Sequence, residues 1–228
     1  MTRLVVVEGK PGSGKTHTSK YIESEFGFER QCFDELVTEQ FRNTLGMPIG
    51  KIYRFGSYTG TGESFWEAFW HQRGKLPYTW DSAREVLLAH RDDIMSEAYG
   101  HTPEEQFHVS YVMWNEYLAA RDSSLAQGKD VILDTLFGGD VRRNMFNGNL
   151  PPDIQKYLIR LYALNKTCID RKAKADNWTL EKGQERISGR KWDYSVPDFP
   201  GVTFLELVNN TDKDWQNIRK RLKKEFGW

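Results

Sequence analysis

Eight residues near the N-terminus constrain this chain more than any others. Gly9-Lys10-Pro11-Gly12-Ser13-Gly14-Lys15-Thr16 follows closely on Leu4-Val5-Val6-Val7, four β-prone apolar residues with no polar face to give to water. Behind the loop, Tyr21, Ile22 and Phe26 supply an apolar helical stripe, and Gly27 stands where a helix closes in a left-handed turn. A buried strand that breaks into a glycine-rich loop and re-forms as a helix is the setting in which G-x-x-x-x-G-K-[ST] cradles phosphate. The glycines let backbone amides converge on phosphate oxygens, and the helix N-terminus adds its positive dipole. Lys15 is expected to reach the β and γ phosphates and the Thr16 hydroxyl to hold magnesium. Gly9, Lys10, Pro11, Gly12, Ser13, Gly14, Lys15 and Thr16 are thus the expected ATP-binding residues.

The rest of the chain repeats strand and helix. Phe28 to Phe33 reads as a second strand ending at Asp34 and Glu35, although its alternation is imperfect. Thr102-Pro103-Glu104-Glu105 opens a long helix, with Thr as N-cap, Pro in the first turn and Glu to satisfy free amides. Its expected buried stripe is Phe107, Tyr111, Trp114, Leu118 and Leu125, and Gly128 stops it before Val131-Ile132-Leu133, a third strand ending at Asp134. Asp134 is the strand-end acid expected to support magnesium, directly or through water. Tyr157 to Leu164 and Val202 to Val208 complete five strands, and Trp215, Ile218, Leu222 and Phe226 share one face of a C-terminal helix. Such alternation predicts an α/β protein with a parallel sheet and crossover helices. No internal repeat or low-complexity linker interrupts residues 1–228, so a single domain is expected.

The 228 residues carry 32 Lys+Arg against 32 Asp+Glu, which argues against a protein held on nucleic acid by phosphate contacts alone. The balance is local, however: Asp81 to Phe107 carries a net −5 and Lys156 to Lys191 a net +6, so an anionic ligand is expected at the latter. The Leu4–Val7 run is far short of the roughly 20 residues of a membrane span. Met1-Thr2-Arg3 before it does not resemble a secretory signal, so the chain is expected in the cytoplasm, that of a host cell if the protein is viral. Cys32 and Cys168 form no CxxC and are expected to be reduced. The five histidines show no HxH or HExxH spacing, and no zinc site is expected.

Residues 46–80 break the pattern. They hold six glycines, two prolines and nine aromatics, with Phe65/Phe69 and Trp66/Trp70 spaced for one short helix. Lys51, Arg54, Arg73 and Lys75 interleave with the rings, as a base-stacking surface requires. The same rings would equally serve as a small core under an irregular loop, different rings taking different roles.

Three segments together give the chain a family resemblance: Glu8 to Thr16, Gly128 to Thr135 with Arg142-Arg143 downstream, and Cys168 to Lys174. In these the sequence resembles the P-loop kinases, in particular polynucleotide kinases and the nucleoside and nucleotide kinases. The resemblance implies a five-stranded sheet in the order 2-3-1-4-5, a base at the end of the second strand and a basic lid over 171–191. An acceptor hydroxyl attacking the γ-phosphorus needs a carboxylate to take its proton, and the triphosphate needs cations over its oxygens. Asp34 is the expected base, with Glu35 its alternative. Arg171, Lys172 and Lys174 are the expected lid cations, of which Arg171 and Lys174 are assigned to catalysis. Arg186, Arg190 and Lys191 are available from the lid's far side. Arg42, Arg54, Trp66, Trp70, Arg142 and Arg143 are the expected acceptor-binding residues. The cofactors implied are ATP and Mg2+.

Departures from the families leave the acceptor open. The second strand lacks a clear D-x-x-R, and Asp134-Thr135 stands where deoxynucleoside kinases commonly carry Glu-Arg-Ser. The expected acceptor is a hydroxyl of nucleic acid, at a DNA 5′ end or on a hydroxymethylated base; the alternative is a free nucleoside or nucleotide. Lys10 raises a further alternative, since Gly-Lys-x-Gly-x-Gly-Lys-Thr also fits the deviant Walker loop of ParA-type ATPases, where that lysine reaches across a dimer.

Overall fold

Arg3–Gly9 forms β1, and all seven residues are buried, as expected of a central strand built on the apolar run Leu4–Val7. In the computed structural model, which describes residues 2–55, 62–98, 100–134, 144–189 and 199–227, β1 lies inside a five-stranded parallel sheet. Its companions are β2 (Glu29–Cys32), β3 (Val131–Asp134), β4 (Gln155–Tyr162) and β5 (Val202–Val208). The order is β2-β3-β1-β4-β5, as the resemblance implied. Val7 pairs with Asp134 on one side of β1, and Gly9 pairs with Leu161 on the other. Because all strands run the same way, their carboxyl ends share one edge of the sheet. The connections diverge on either side of β1 there, which opens the crevice where doubly wound sheets bind ligands.

The sheet belongs to the first of two compact units, Met1–Cys32 with Asp122–Trp228. One face is packed by α1 (Lys15–Phe26) and the C-terminal helix Asp212–Phe226. Val5, Val7, Ile132, Ile159, Leu161, Leu205 and Leu207 meet Ile22, Phe28, Ile218, Leu222 and Phe226 there. Burying each such side chain contributes about 1.5–3 kcal/mol, which is what holds the helices to the strands. The other face carries an ion pair the sequence did not signal: Arg160 Nε donates to Glu8 Oε1 at 2.6 Å, with both residues about fully buried.

The second unit is Phe33–Arg121. Its helices are α2 (Phe33–Val37), α3 (Ile49–Phe55), α4 (Gly62–Gln72), α5 (Trp80–Ala89) and α6 (Arg91–Ser96). The helix α7 (Pro103–Ala126) runs from this unit into the first. A π-helical turn over Thr38–Arg42 and a last turn, Asn43–Leu45, extend α2. The aromatic segment 46–80 falls inside this unit, and four of its rings are core. Phe55 and Phe69 are fully buried, Phe65 and Trp66 nearly so, and Phe33 stacks on Trp114 at 4.1 Å. Among the described residues no helix is long and apolar enough to cross a membrane.

Three sequence expectations shift in the structure. The second strand stops at Cys32 and the chain turns helical at Phe33, so Asp34 and Glu35 lie in the first turn of α2, where carboxylates complement the helix dipole. The fourth strand starts at Gln155, two residues earlier than expected, because its register with Arg3 and Leu4 draws Gln155 and Lys156 into the sheet. The long helix begins with the expected capping box, Glu105 N donating to Thr102 Oγ1 and Thr102 N to the Glu105 carboxylate. Its burial is not one stripe, however: Val109, Val112, Met113 and Tyr117 are buried along with Tyr111 and Leu118, and Phe107 and Trp114 are half-buried.

The remaining elements of the first unit follow β4. They are α8 (Asn165–Asp176), α9 (Leu180–Gly183) with a π-helical turn over Gln184–Ser188, and, after β5, the C-terminal helix, α10. Residues 190–191 of the expected lid lie outside the described residues.

Candidate phosphate-binding site

The loop from Gly9 to Thr16 leaves the carboxyl end of β1 and enters α1. Gly9, Gly12 and Gly14 take φ values of 150°, 80° and 102°, where side chains are strained. Space forbids a side chain as well. A Cβ on Gly12 would lie 2.4 Å from the Cys168 carbonyl oxygen, and one on Gly14 would lie 2.3 Å from Asn209 Nδ2.

The loop brings together a helix N-terminus, a buried hydroxyl and a lysine. Gly14 caps α1 without a side-chain hydrogen bond, and the first turn holds no acid, so neither a cap side chain nor a first-turn carboxylate offsets the positive helix end. The helices Trp80–Ala89 and Asp212–Phe226, by contrast, start with capping boxes, Thr79-Ser82 and Thr211-Asp214. Ser13 is fully buried, and among the described residues its Oγ has no hydrogen-bond partner. A buried hydroxyl without a partner is costly, by about 1–3 kcal/mol, unless a ligand supplies one. Lys15 Nζ bends back to the Lys10 carbonyl at 3.2 Å. These residues fit a bound polyphosphate.

Lys10 faces its own chain. It is 7% exposed, donates to Asn165 Oδ1, and stands 5.7 Å over the Tyr162 ring. Asn165 in turn donates to Ser188 Oγ at 3.2 Å, so the lysine ties the loop to α8 and the turn after α9.

Asp134 ends β3 beside β1 and is 4% exposed. Its Oδ2 accepts from Ser19 Oγ at 2.9 Å and from Arg30 Nη2 at 3.1 Å, while Arg30 Nε donates to the same serine at 3.1 Å. Neither Ser19 nor Arg30 was anticipated. Each reaches Asp134 across chain separations that no local pattern encodes. The described contacts engage Oδ2 alone, and Thr16 is exposed at the start of α1. Magnesium keeps most of its water and takes one or two protein oxygens plus substrate phosphates. Thr16 and Asp134 fit that sparse donor set; among the described residues no cluster of His, Cys, Asp and Glu forms a metal cage by itself.

Arg171, expected as a lid cation, grips backbone. Its Nη1 donates to the carbonyls of Asn209 at 2.9 Å and Gly12 at 3.3 Å, and its Nη2 to Asn209 Oδ1 at 3.4 Å. Lys172 pairs with Asp176 along α8 and, with Lys182, lies over the Trp178 ring. Lys174 is exposed and Arg186 half-buried. Burial pushes the Cys168 thiol up, against the pull of Lys10, Arg171 and Lys15 nearby.

The expected acceptor residues divide. Arg142 and Arg143 lie outside the described residues. Trp66, 6% exposed, is core among Phe65, Phe69 and Trp114. Trp70 is half-buried, with the Arg73 guanidinium 5.0 Å from its ring centre. Arg54 pairs with Glu97 at 2.9 Å, and Lys51 with the same carboxylate at 2.6 Å. Arg42 is exposed on an open cavity of about 510 Å3 that Met47, Pro48 and Gly50 also line. Asp34 and Glu35 are both exposed.

A phosphate loop after the first strand of a 2-3-1-4-5 parallel sheet defines the fold of the P-loop kinases, and this chain has it. A sugar kinase from a Janibacter species superposes with a TM-score of 0.53 at 16% identity, covering 99% of this chain and 96% of that one. A Thermus thermophilus protein does so with a TM-score of 0.51 at 15% identity, covering 98% and 96%. No family model matches the sequence, and no curated protein does.

Proposed function

We propose that the chain is an ATP-dependent kinase that transfers the γ-phosphoryl group to a hydroxyl of a nucleic-acid acceptor. The observation that carries the kinase reading is the loop itself: a helix end without a side-chain cap, a Ser13 hydroxyl buried without a partner among the described residues, and Lys15 folded back on the Lys10 carbonyl. In the reaction the acceptor oxygen bonds to the γ-phosphorus, the bond to the β-phosphate oxygen breaks, and ADP leaves. Asp34 takes the hydroxyl proton, with Glu35 one residue along the same helical turn. Thr16 and Asp134 would hold magnesium, which would supply positive charge to offset that on the phosphates. Support for a polymer acceptor comes from Trp70 with Arg73 and from Arg42 on its cavity.

The ParA-type alternative loses support from the placement of Lys10, whose ammonium is occupied inside its own chain. A free nucleoside or nucleotide as acceptor remains the second reading within kinases.

The test is γ-labelled ATP with magnesium and a panel of acceptors: nucleosides, nucleoside monophosphates, 5′-hydroxyl oligonucleotides, and duplexes with ordinary or hydroxymethylated pyrimidines. Label in polymer is the expected result; label in monomers alone moves the assignment to a precursor kinase. Phosphate release without any acceptor overturns the kinase reading. Lys15→Ala should abolish transfer in a folded protein. Asp34→Asn should lower it by about 10²–10⁴ with ATP affinity kept. If Glu35→Gln does so instead, the base is Glu35.

A further inference from the structure

Amides can converge inside a phosphate loop only if the carbonyls of the same peptides turn outward, and outward carbonyls away from water need donors of their own. In this chain two side chains supply them. Asn209 follows β5 directly, is 5% exposed, and donates from Nδ2 to the Ser13 carbonyl at 2.7 Å. Arg171 donates from Nη1 to the neighbouring Gly12 carbonyl at 3.3 Å. The two are joined to each other, since Arg171 also donates to the backbone oxygen of Asn209 at 2.9 Å and to its Oδ1 at 3.4 Å. Asn209 is itself fixed by its own amide, which donates to the Tyr162 carbonyl at 2.8 Å and continues the β4 to β5 pairing. The fit is close enough that Gly14 has no room for a Cβ against Asn209 Nδ2.

We infer that Asn209 and Arg171 form a clasp that holds the outer carbonyls of the phosphate loop and so presets its inward amides for polyphosphate. Both are positioning residues: Arg171 acts on the loop's backbone from α8 rather than on the transferred group, and Asn209 anchors the same loop to the edge of the sheet. The inference rests on the phosphate-loop reading of residues 9–16. It gives Arg171 a part other than that of the lid cation expected of it, while Lys174 stays exposed. Preset amides bind anions without the ordering cost a flexible loop would incur on each binding event.

The decisive variant is Asn209→Asp, which keeps size and the bond to Arg171 but replaces the donor facing the Ser13 carbonyl by an oxygen. Binding of inorganic tripolyphosphate and of ATP to the full chain is measured by calorimetry, beside the melting temperature without ligand. Asn209→Asp is expected to weaken both ligands at least tenfold while the ligand-free melting temperature moves by only a few degrees. Arg171→Gln is expected to weaken them less, because it leaves the Asn209 donor in place, and Arg171→Lys to restore part of that loss. Equal tripolyphosphate affinity in wild type and Asn209→Asp overturns the clasp and leaves the phosphate loop standing. If wild type binds neither tripolyphosphate nor ATP, the phosphate-loop reading itself fails and the clasp with it. Should Asn209→Asp not fold, unchanged affinity in a folded Arg171→Gln overturns the inference by itself.

Discussion

Arg30 of β2 and Asp134 of β3 form an ion pair at 3.1 Å in which each side chain is only 5% exposed. Cys32 pairs with Asp134 in the parallel register, so Arg30 stands two residues earlier on the same face and reaches forward to the carboxylate. Ser19 of α1 bonds to both, which ties a helix and two strands together at the carboxyl edge of the sheet. Removing one partner of a buried pair strands the other charge, at about 3–5 kcal/mol. Arg30→Ala should therefore lower the free energy of urea unfolding by about that amount. A loss under about 1 kcal/mol would mean that water already screens Asp134.

Gly12 and Gly46 both adopt left-handed backbone, with φ values of 80° and 64°, but their surroundings differ. A Cβ on Gly12 meets the Cys168 backbone, whereas one on Gly46 meets nothing within 4 Å. Gly46→Ala should cost only the conformational strain, about 1–2 kcal/mol. Gly12→Ala should in addition displace the loop and reduce polyphosphate affinity by at least about tenfold in calorimetry. Equal affinity in the two variants would place the phosphate elsewhere.

Trp66 and Trp70 are one helical turn apart on α4 and should respond differently to removal. Trp66→Ala empties a core position and is expected to cost about 3–5 kcal/mol in urea unfolding. Trp70→Ala, at a half-buried ring beside Arg73, should cost less than half of that and instead weaken use of a polymer acceptor relative to ATP. Equal destabilisation by both would make Trp70 core as well.

Glu105 carries the clearest acid dependence. The Thr102 backbone amide and the His90 imidazole beside it hold its carboxyl down at about 2, from an ordinary 4.5. A carboxylate depressed in the folded state adds stability above its unfolded value and loses it on acidification. The contribution is thus complete above about 4.5 and fades between there and about 2. Burial and the nearby His90 hold His101 below its ordinary value, which also disfavours the folded state as pH falls through 6.5. Stability followed by circular dichroism from pH 7 to 3 should fall, and Glu105→Gln should flatten the part below 4.5. An unchanged acid limb in that variant would assign the loss to other groups.

The parts of this protein that depend on near neighbours were legible in its sequence. Leu4 to Val7 with the loop to Thr16 specifies strand, glycine-rich turn and helix, because apolar runs and glycines act over a few residues. Gly27, Thr102 to Glu105 and the Val202–Val208 strand were legible for the same reason: caps and buried strands are local chemistry. Tertiary structure decided what crosses the sheet. Asn209 lies nearly two hundred residues from Ser13, Arg30 over a hundred from Asp134, and Arg160 over a hundred and fifty from Glu8. Each is an ordinary polar residue until parallel pairing sets its strand end beside another. Arg171 illustrates the difference most directly. Its charge and its place after β4 could be read, but whether a guanidinium faces a ligand or the loop's own carbonyls depends on which oxygens the fold leaves without donors.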